Sequence, residues 1–155
     1  MAFEIAKNHL EALGLGDRIR EFEVSSATVE LAAAALDTEP ARIAKSLTFL
    51  VDDKAVMIIC AGDTKVDNSK FKAFFQTKAK MLSFDQVHDM IGHDIGGVCP
   101  FGAKEGVAIY LDESLKRFDI VYPACGSSNS AVKLTIPELE KASGYIEWID
   151  VTKMN

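Results

Sequence analysis

Two apolar segments separated by a pair of aspartates constrain the fold of this chain more than any other feature. Residues 45–51 and 55–61 are apolar and β-prone, and Asp52-Asp53 between them is a turn signal. The pattern predicts two adjacent strands joined as a β-hairpin. Elsewhere, helical and strand patterns mix without a strict βαβ period. The sequence therefore predicts a mixed sheet rather than a purely parallel one.

Helices are predicted on either side of this hairpin in the sequence. Residues 3–13 repeat apolar side chains at helical spacing, and Thr28 is a predicted N-cap for a helix that ends at Leu36. A short strand is predicted over residues 80–83. The length of 155 residues, without an internal repeat or linker, predicts a single domain of the mixed α/β (α+β) class over residues 1–155.

The charge balance limits the class of partner. The chain has 17 basic and 23 acidic residues and a formal net charge of −6, which argues against a protein that coats nucleic acid with its whole surface. Residues 65–80 differ, because they contain five lysines and one acid. Two interpretations are open: a solvated face, or a patch in which Lys65, Lys70 and Lys72 bind phosphates of one nucleic-acid end.

The sequence contains no obvious targeting or metal-binding pattern. No apolar segment approaches the roughly 20 residues of a membrane span, and the N-terminus lacks a secretory pattern. Three widely spaced cysteines without a C-x-x-C pair fit a reducing compartment. These features predict a cytoplasmic protein with no membrane partner, no metal and no cofactor.

A glycine-rich segment is the strongest local indication of a ligand site. Four glycines and Pro100 lie within residues 96–106, and glycine loses more conformational entropy on folding than any other residue. Such a loop allows backbone N–H groups to approach a phosphate or a developing oxyanion. The alternative is a tight turn that leads into the next strand.

Other candidate residues also have a structural alternative. Lys45 begins an apolar strand, where it either extends to solvent or presents a compact positive charge to a phosphate or carbonyl. Residues 125–130, rich in serine, form either a site for a small polar ligand or a hairpin turn. Cys99 and His93 allow a thiol nucleophile with a histidine base, although cysteines are more often small buried apolar residues.

Taken in this order and spacing, the segments resemble the YbaK-type, prolyl-tRNA editing domain family of aminoacyl-tRNA deacylases. The resemblance extends from about Thr28 to the C-terminus. It rests on residues 29–47, on Gly96-Gly97-Val98-Cys99-Pro100-Phe101-Gly102 and on Gly126-Ser127-Ser128-Asn129-Ser130. It implies one domain with a curved mixed sheet flanked by helices, and hydrolysis of the ester that joins a wrong amino acid to tRNA.

The resemblance also implies the site residues. The family's pocket lysine falls on Lys45, and its glycine loop supplies Gly96 and Gly97 as catalytic backbone donors. Some members of the family carry a His-Pro-x-x-Asn segment, which is matched here only at Asn129, because Cys125 and Gly126 stand at the histidine and proline positions. The implied substrate-binding residues are Val98, Cys99, Pro100, Phe101, Gly102, Gly126, Ser127, Ser128 and Asn129.

Three functions follow as hypotheses. The first is a trans-editing hydrolase that acts on the 3′ end of mischarged aminoacyl-tRNA, with tRNA for proline carrying alanine, cysteine or 2-aminobutyrate as the expected substrate and a synthetase as a candidate partner. Editing is useful there because one methylene gives a synthetase only about 1–3 kcal/mol of discrimination. The second is a non-catalytic module that binds an aminoacyl-tRNA end or a nucleotide. The third is a thiol hydrolase that depends on Cys99.

Overall fold

The computed structural model describes residues 2–155 as five α-helices, ten strands and three short 3-10 turns. The helices are α1 (Ala2–Ala12), α2 (Val29–Leu36), α3 (Asn68–Phe75), α4 (Phe84–Ile91) and α5 (Ile136–Ser143). The strands are β1 (Ile19–Glu21), β2 (Ile43–Val51), β3 (Lys54–Ala61), β4 (Thr64–Val66), β5 (Ala108–Asp112), β6 (Ile120–Pro123), β7 (Ser130–Val132), β8 (Leu134–Thr135), β9 (Trp148–Ile149) and β10 (Thr152–Met154). None of the helices in this range is long and apolar enough to cross a membrane.

The predicted hairpin forms the centre of the main sheet. β2 and β3 pair antiparallel along their length, from Ala44 opposite Ala61 to Val51 opposite Lys54. The strand order is β8-β6-β2-β3-β5-β9, in which β2–β6, β3–β5 and β5–β9 are parallel and β6–β8 is antiparallel. Two antiparallel ribbons, β1–β7 and β4–β10, complete the fold. The predicted mixed sheet is confirmed.

Alternate side chains of β3 build two cores on opposite faces of this sheet. Met57 and Ile59 belong to the larger core, whereas Val56 and Ile58 belong to a smaller core that also contains Phe71 of α3. All of these side chains are almost fully removed from solvent. Burial on both faces explains why this strand is apolar throughout instead of alternating with polar residues.

Side-chain caps determine where the helices begin. The hydroxyl of Thr28 accepts the N–H of Leu31 at 3.2 Å, as the sequence predicts. Ser83 and Thr135 form complete capping boxes at the starts of α4 and α5. Each such cap contributes about 1 kcal/mol to stability.

The predicted strand over residues 80–83 is wrong. Met81 forms one isolated bridge with Phe49, flanked by hydrogen bonds from Leu50 N to Lys80 O and from Leu82 N to Thr48 O. Pairing stops there because the next residue, Ser83, is already the N-cap of α4.

A buried carboxyl group joins the C-terminal strand to the centre of the protein. Asp112, at the end of β5, is fully buried. Its oxygens accept hydrogen bonds from Val151 N at 2.9 Å, from the Thr152 hydroxyl at 2.7 Å and from Ser114 N at 3.0 Å. Through these contacts, one side chain determines where β10 lies beside β4.

We expect Asp112→Ala to lower the free energy of unfolding by about 3 kcal/mol or more, because each buried donor left without an acceptor costs about 1–3 kcal/mol. Urea denaturation measures this loss. Asp150→Ala is the matched control, because the Asp150 carboxylate is exposed and pairs with a lysine at the surface. Equal losses in the two variants would contradict this role of Asp112.

A buried histidine lies at the start of the glycine-rich segment. His93 is 1% exposed, and its Nε2 lies 2.9 Å from the carbonyl oxygen of Phe101. Its Nδ1 has no hydrogen-bond partner among residues 2–155. Burial lowers the pKa of His93, although the Phe101 carbonyl opposes this shift. The ring is therefore neutral at pH 7, with Nε2–H donating to Phe101.

This environment predicts that His93 makes the protein less stable in acid. The unfolded chain takes up a proton near the ordinary histidine pKa of 6.5, whereas the folded chain resists protonation. Stability from His93 is therefore present above about pH 6.5 and is lost as the pH falls. Urea denaturation gives the free energy of unfolding of the wild type and of His93→Gln. We expect the difference in favour of the wild type to shrink as the pH falls from about 7.5 to about 5.5.

His88 provides a control of opposite sign. The carboxylate of Asp94, 2.7 Å from His88 Nδ1, raises the pKa of this exposed histidine. Stability from His88 is therefore present at low pH and is lost as the pH rises. The advantage of the wild type over His88→Gln should grow in acid, and parallel behaviour of the two variants would refute the assignment.

Candidate functional site

A cavity of about 280 Å³ opens beside the central strand β2. β6 pairs with β2 only as far as Ala44, and the segment at Met81 joins β2 only at Phe49. Between these two points β2 has no neighbouring strand on this side. The cavity is lined by residues 26–29, Ala32, residues 43–46, Thr48, Met81, Leu82, Val87, Ile95, Gly96, Val98, Tyr122, Ala124, Ser130 and Ala131.

The gap exposes backbone groups of β2 to the cavity. Thr48 O and Leu50 N bond to the segment of residues 80–82, so even-numbered residues of β2 direct their N–H and C=O groups away from β3. Because these directions alternate along a strand, Ser46 directs its N–H and C=O groups into the gap. The cavity therefore offers one backbone donor and one acceptor from the same residue.

Among the lining residues, Lys45 has the only charged side chain. The remaining polar groups are the hydroxyls of Ser26, Thr28, Ser46, Thr48, Tyr122 and Ser130. No cysteine, histidine, aspartate or glutamate lines this cavity. The cavity therefore offers hydroxyls and one amine, but no thiol, imidazole or carboxylate that would activate a hydroxyl as a nucleophile.

Lys45 stands at the boundary between the cavity and the α3 side of the sheet. It pairs with Cys60 of β3, and strand alternation places its side chain on the same face as Leu47 and Phe49. Its ammonium donates a hydrogen bond to the carbonyl oxygen of Thr64, at the start of β4. An ammonium has three donor hydrogens, so two remain for a ligand.

The glycine loop contributes two of its predicted residues to the cavity wall. Gly96 and Val98 line the cavity, and the N–H groups of both donate no backbone or side-chain hydrogen bond within residues 2–155. The N–H of Gly97, by contrast, donates to Asp94 O at 3.0 Å. Unlike the N–H of Gly97, the N–H groups of Gly96 and Val98 therefore remain available to a ligand.

Gly97 has a packing role. A Cβ at this position would lie 2.5 Å from Ser127 N and 2.6 Å from the carbonyl carbon of Gly126. The Gly97 carbonyl accepts the N–H of Gly126 at 3.1 Å. Two loops distant in sequence thus meet backbone to backbone, which requires glycine.

The second half of the glycine loop turns into the core. Cys99 and Phe101 are fully buried, and Pro100 is buried as well. Gly102 adopts a positive φ of 70° and packs against Ile5 of α1. The structure places these four predicted substrate-binding residues behind the cavity wall and not on it.

The predicted polar segment also supports the site from behind. The Asn129 amide donates to Phe22 O at 3.0 Å, and its oxygen accepts the Ser127 hydroxyl. Ser128 O accepts the N–H of Ser26. Gly126, Ser127, Ser128 and Asn129 do not line the cavity, whereas the adjacent Ser130 does.

Burial suppresses the reactivity of all three cysteines. Burial raises the pKa of Cys99, and it raises the pKa values of Cys60 and Cys125 to about 11 and about 12. Cys99 Sγ lies 3.6 Å from His93 Nε2, but that nitrogen is also the donor to Phe101. A thiolate nucleophile is therefore not formed here.

The three predicted tRNA-binding lysines differ in their surroundings. Lys65 on β4 and Lys72 on α3 are exposed and form no ion pair within residues 2–155. Lys70 is held by Asp150 at 3.0 Å and by Thr152 O at 2.9 Å. Within the same residues, no group of three or more metal-ligating side chains is present.

Several cavity residues were not predicted from the sequence. Ser46 and Thr48 alternate within an otherwise apolar strand, a period-two signal of a polar face that the sequence does contain. Ser26, Met81 and Tyr122 carry no such signal, because each comes from a segment that reaches the cavity only through tertiary packing.

Comparison with known proteins agrees with this architecture. The uncharacterized protein YwhH of Bacillus subtilis (strain 168) is 47% identical over 154 residues, which cover 99% of this chain and 98% of that protein. The proline--tRNA ligases of Bacillus cytotoxicus and Geobacillus sp. (strain WCH70) are 28% and 30% identical over 101 and 102 residues. These matches cover 64% and 65% of this chain but only 18% of each ligase.

Solved structures show the same fold. A candidate trans-editing enzyme for prolyl tRNA synthetase superimposes with a TM-score of 0.88 at 27% identity, over 98% of this chain and 97% of that one. The hypothetical protein APE2540 gives a TM-score of 0.84 at 24% identity, over 95% and 98% of the two chains. Residues 23–142 match the family model of the aminoacyl-tRNA editing domain, and this chain therefore belongs to that family.

Proposed function

We propose that this protein is a trans-editing hydrolase that deacylates mischarged aminoacyl-tRNA. The observation that carries the proposal is a small cavity with one lysine and two unpaired loop N–H groups, whose wall has hydroxyls but no thiol, imidazole or carboxylate. An aminoacyl ester is already activated, so its hydrolysis requires positioning and charge stabilisation more than a strong protein nucleophile.

In the proposed reaction, a water oxygen bonds to the ester carbonyl carbon. The N–H groups of Gly96 and Val98 stabilise the oxyanion that forms, and removal of one such donor typically costs about 10²–10³ in rate. The acyl C–O bond then breaks, and the ribose oxygen takes the proton that the water loses. A hydroxyl or thiol of the substrate's own side chain is an alternative attacking group.

The remaining cavity groups fit the other parts of the substrate. The Ser46 carbonyl is an acceptor for the α-ammonium of the amino acid, and the free hydrogens of the Lys45 ammonium suit an ester carbonyl or a terminal phosphate. Apolar residues such as Val29, Ile43 and Leu82 line the wall and suit a small aliphatic side chain. A cavity of about 280 Å³ is at the small end of ligand sites.

Alanine, cysteine or 2-aminobutyrate on tRNA for proline is the proposed substrate. The likeness to proline--tRNA ligases and to a candidate trans-editing enzyme for prolyl tRNA synthetase supports this choice. The same likeness makes an aminoacyl-tRNA synthetase a proposed partner, and the cytoplasm, where translation takes place, the proposed location.

The direct test is loss of ester from tRNA for proline charged with alanine, cysteine, serine, threonine or 2-aminobutyrate. We expect faster hydrolysis of at least one small misfit, and no acceleration with correctly charged prolyl-tRNA. Lys45→Met should lower the rate by about 10²-fold, whereas Lys54→Met, at the exposed turn of the same hairpin, should leave it unchanged. Tight binding of charged tRNA without hydrolysis would instead favour the non-catalytic module.

A second test separates the deacylase from the Cys99 thiol hydrolase. Because Cys99 is fully buried with a raised pKa, we expect Cys99→Ser to retain most of the ester hydrolysis, and iodoacetamide to leave the folded wild type active. Stoichiometric alkylation of Cys99 with parallel loss of activity would overturn the deacylase mechanism given above.

A further inference from the structure

The C-terminal strand completes a positively charged surface that the segment of residues 65–80 only begins. β10 pairs antiparallel with β4, and Lys153 stands directly opposite Lys65. Both side chains are exposed. Like charges in this position are destabilising, and the chain as a whole is acidic. A bound anion would remove the repulsion between the two ammonium groups.

A shallow groove extends this surface along α3. It has a volume of about 400 Å³ and is lined by Asn68, Ser69, Lys72, Lys78 and Ala79. Lys72 and Lys78 are exposed and, like Lys65 and Lys153, form no ion pair within residues 2–155. We call these four lysines the basic edge.

Two acids near the basic edge, Asp67 and Asp150, both bond to Lys70. Asp67 accepts the N–H of Lys70 at 3.1 Å as the N-cap of α3. Asp150 pairs with the ammonium of Lys70 at 3.0 Å. Lys70 is therefore held in an ion pair, although the sequence suggests it as a phosphate ligand. The N–H of Lys70 and the charge of Lys153 lower the pKa of the Asp67 carboxyl, so the four lysines of the basic edge have this one acid nearby and keep an excess of positive charge.

The basic edge meets the cavity at two points. Thr64, whose carbonyl accepts the Lys45 ammonium, immediately precedes Lys65 in β4. Lys78 lies three residues before Met81 on the cavity wall, a distance of at most about 10 Å along extended chain. A strand that crosses the basic edge therefore reaches the cavity within the span of a few nucleotides.

We propose that the basic edge binds the phosphodiester backbone of the nucleic acid whose acylated 3′ end enters the cavity. This inference rests on the proposed function and adds the path of the strand outside the cavity. Lysine ammoniums bind phosphates as point charges, and phosphate contacts position a nucleic acid without reading its sequence. The surface therefore contributes affinity and orientation, whereas selection of the amino acid belongs to the cavity.

The test measures binding of an uncharged RNA minihelix with a single-stranded CCA end, by fluorescence anisotropy between about 50 and 200 mM NaCl. Lys72→Gln/Lys78→Gln should weaken binding about tenfold at the lower salt concentration. It should also make the slope of log K against log salt concentration shallower by about 1–2, because each lost phosphate contact removes about 0.7–0.9 from that slope. Lys65→Gln/Lys153→Gln should behave similarly. The matched control is Lys133→Gln/Lys141→Gln, which removes the same charge from two exposed lysines elsewhere and should have little effect.

Ester hydrolysis separates failure of this surface from failure of the proposed function. With charged minihelix, the basic-edge variants should raise KM and leave kcat unchanged. If wild type binds the minihelix in the predicted way but hydrolyses no ester, the proposed function fails while the surface stands. If wild type hydrolyses the ester but all three double variants bind RNA equally, the basic edge is refuted. The proposal would also be overturned if the wild type bound phosphatidylserine vesicles more strongly than RNA and the basic-edge variants lost that binding.

Discussion

The open edge of β2 is the constraint on which the candidate site depends. β3 pairs with β2 throughout, but on the other side β6 and the segment at Met81 leave a gap around Ser46. Backbone N–H and C=O groups in an interior site require partners, so the missing strand creates a demand for one donor and one acceptor. In the proposed function, the α-ammonium of the substrate supplies the donor for the Ser46 carbonyl. The gap beside β2 thus determines both where the cavity lies and which backbone polar groups face it.

The chemistry of the cavity depends on which reactive side chains lie outside it. The reactive-looking pair Cys99 and His93 lies in the core, where burial keeps the thiol protonated and the imidazole neutral. The glycine loop passes between the cavity and the core, with Gly96 and Val98 on the cavity wall and Cys99 buried behind it. A site with backbone donors, hydroxyls and one ammonium stabilises negative charge but has no thiol, imidazole or carboxylate. Such a site matches acyl esters, which react with water once they are held and polarised.

Local patterns in the sequence predict the parts of this fold that depend on neighbours in the chain. The β2–β3 hairpin and the Thr28 cap both arise from such patterns, and the structure confirms them. The glycine loop is visible too, but its orientation is not. Whether Phe101 faces a ligand or the core depends on its packing beneath α1, and whether Gly97 donates to a ligand depends on Asp94 and on the distant Gly126. The segments implied by the family resemblance include residues on the cavity wall and residues behind it, and the resemblance does not distinguish the two.

The C-terminal strand connects the two halves of the proposed substrate site. Asp112 holds Val151 and Thr152, which places β10 against β4. β4 in turn supplies the Thr64 carbonyl that positions the Lys45 ammonium, and its pairing with β10 brings Lys153 beside Lys65. One buried carboxyl group therefore supports both the cation in the cavity and the cations outside it. Since these lysines are carried by or held against the same ribbon, backbone pairing sets the distance between the chain positions from which their side chains extend. In the proposed function, this ribbon relates the path of the polyanion to the position of the ester.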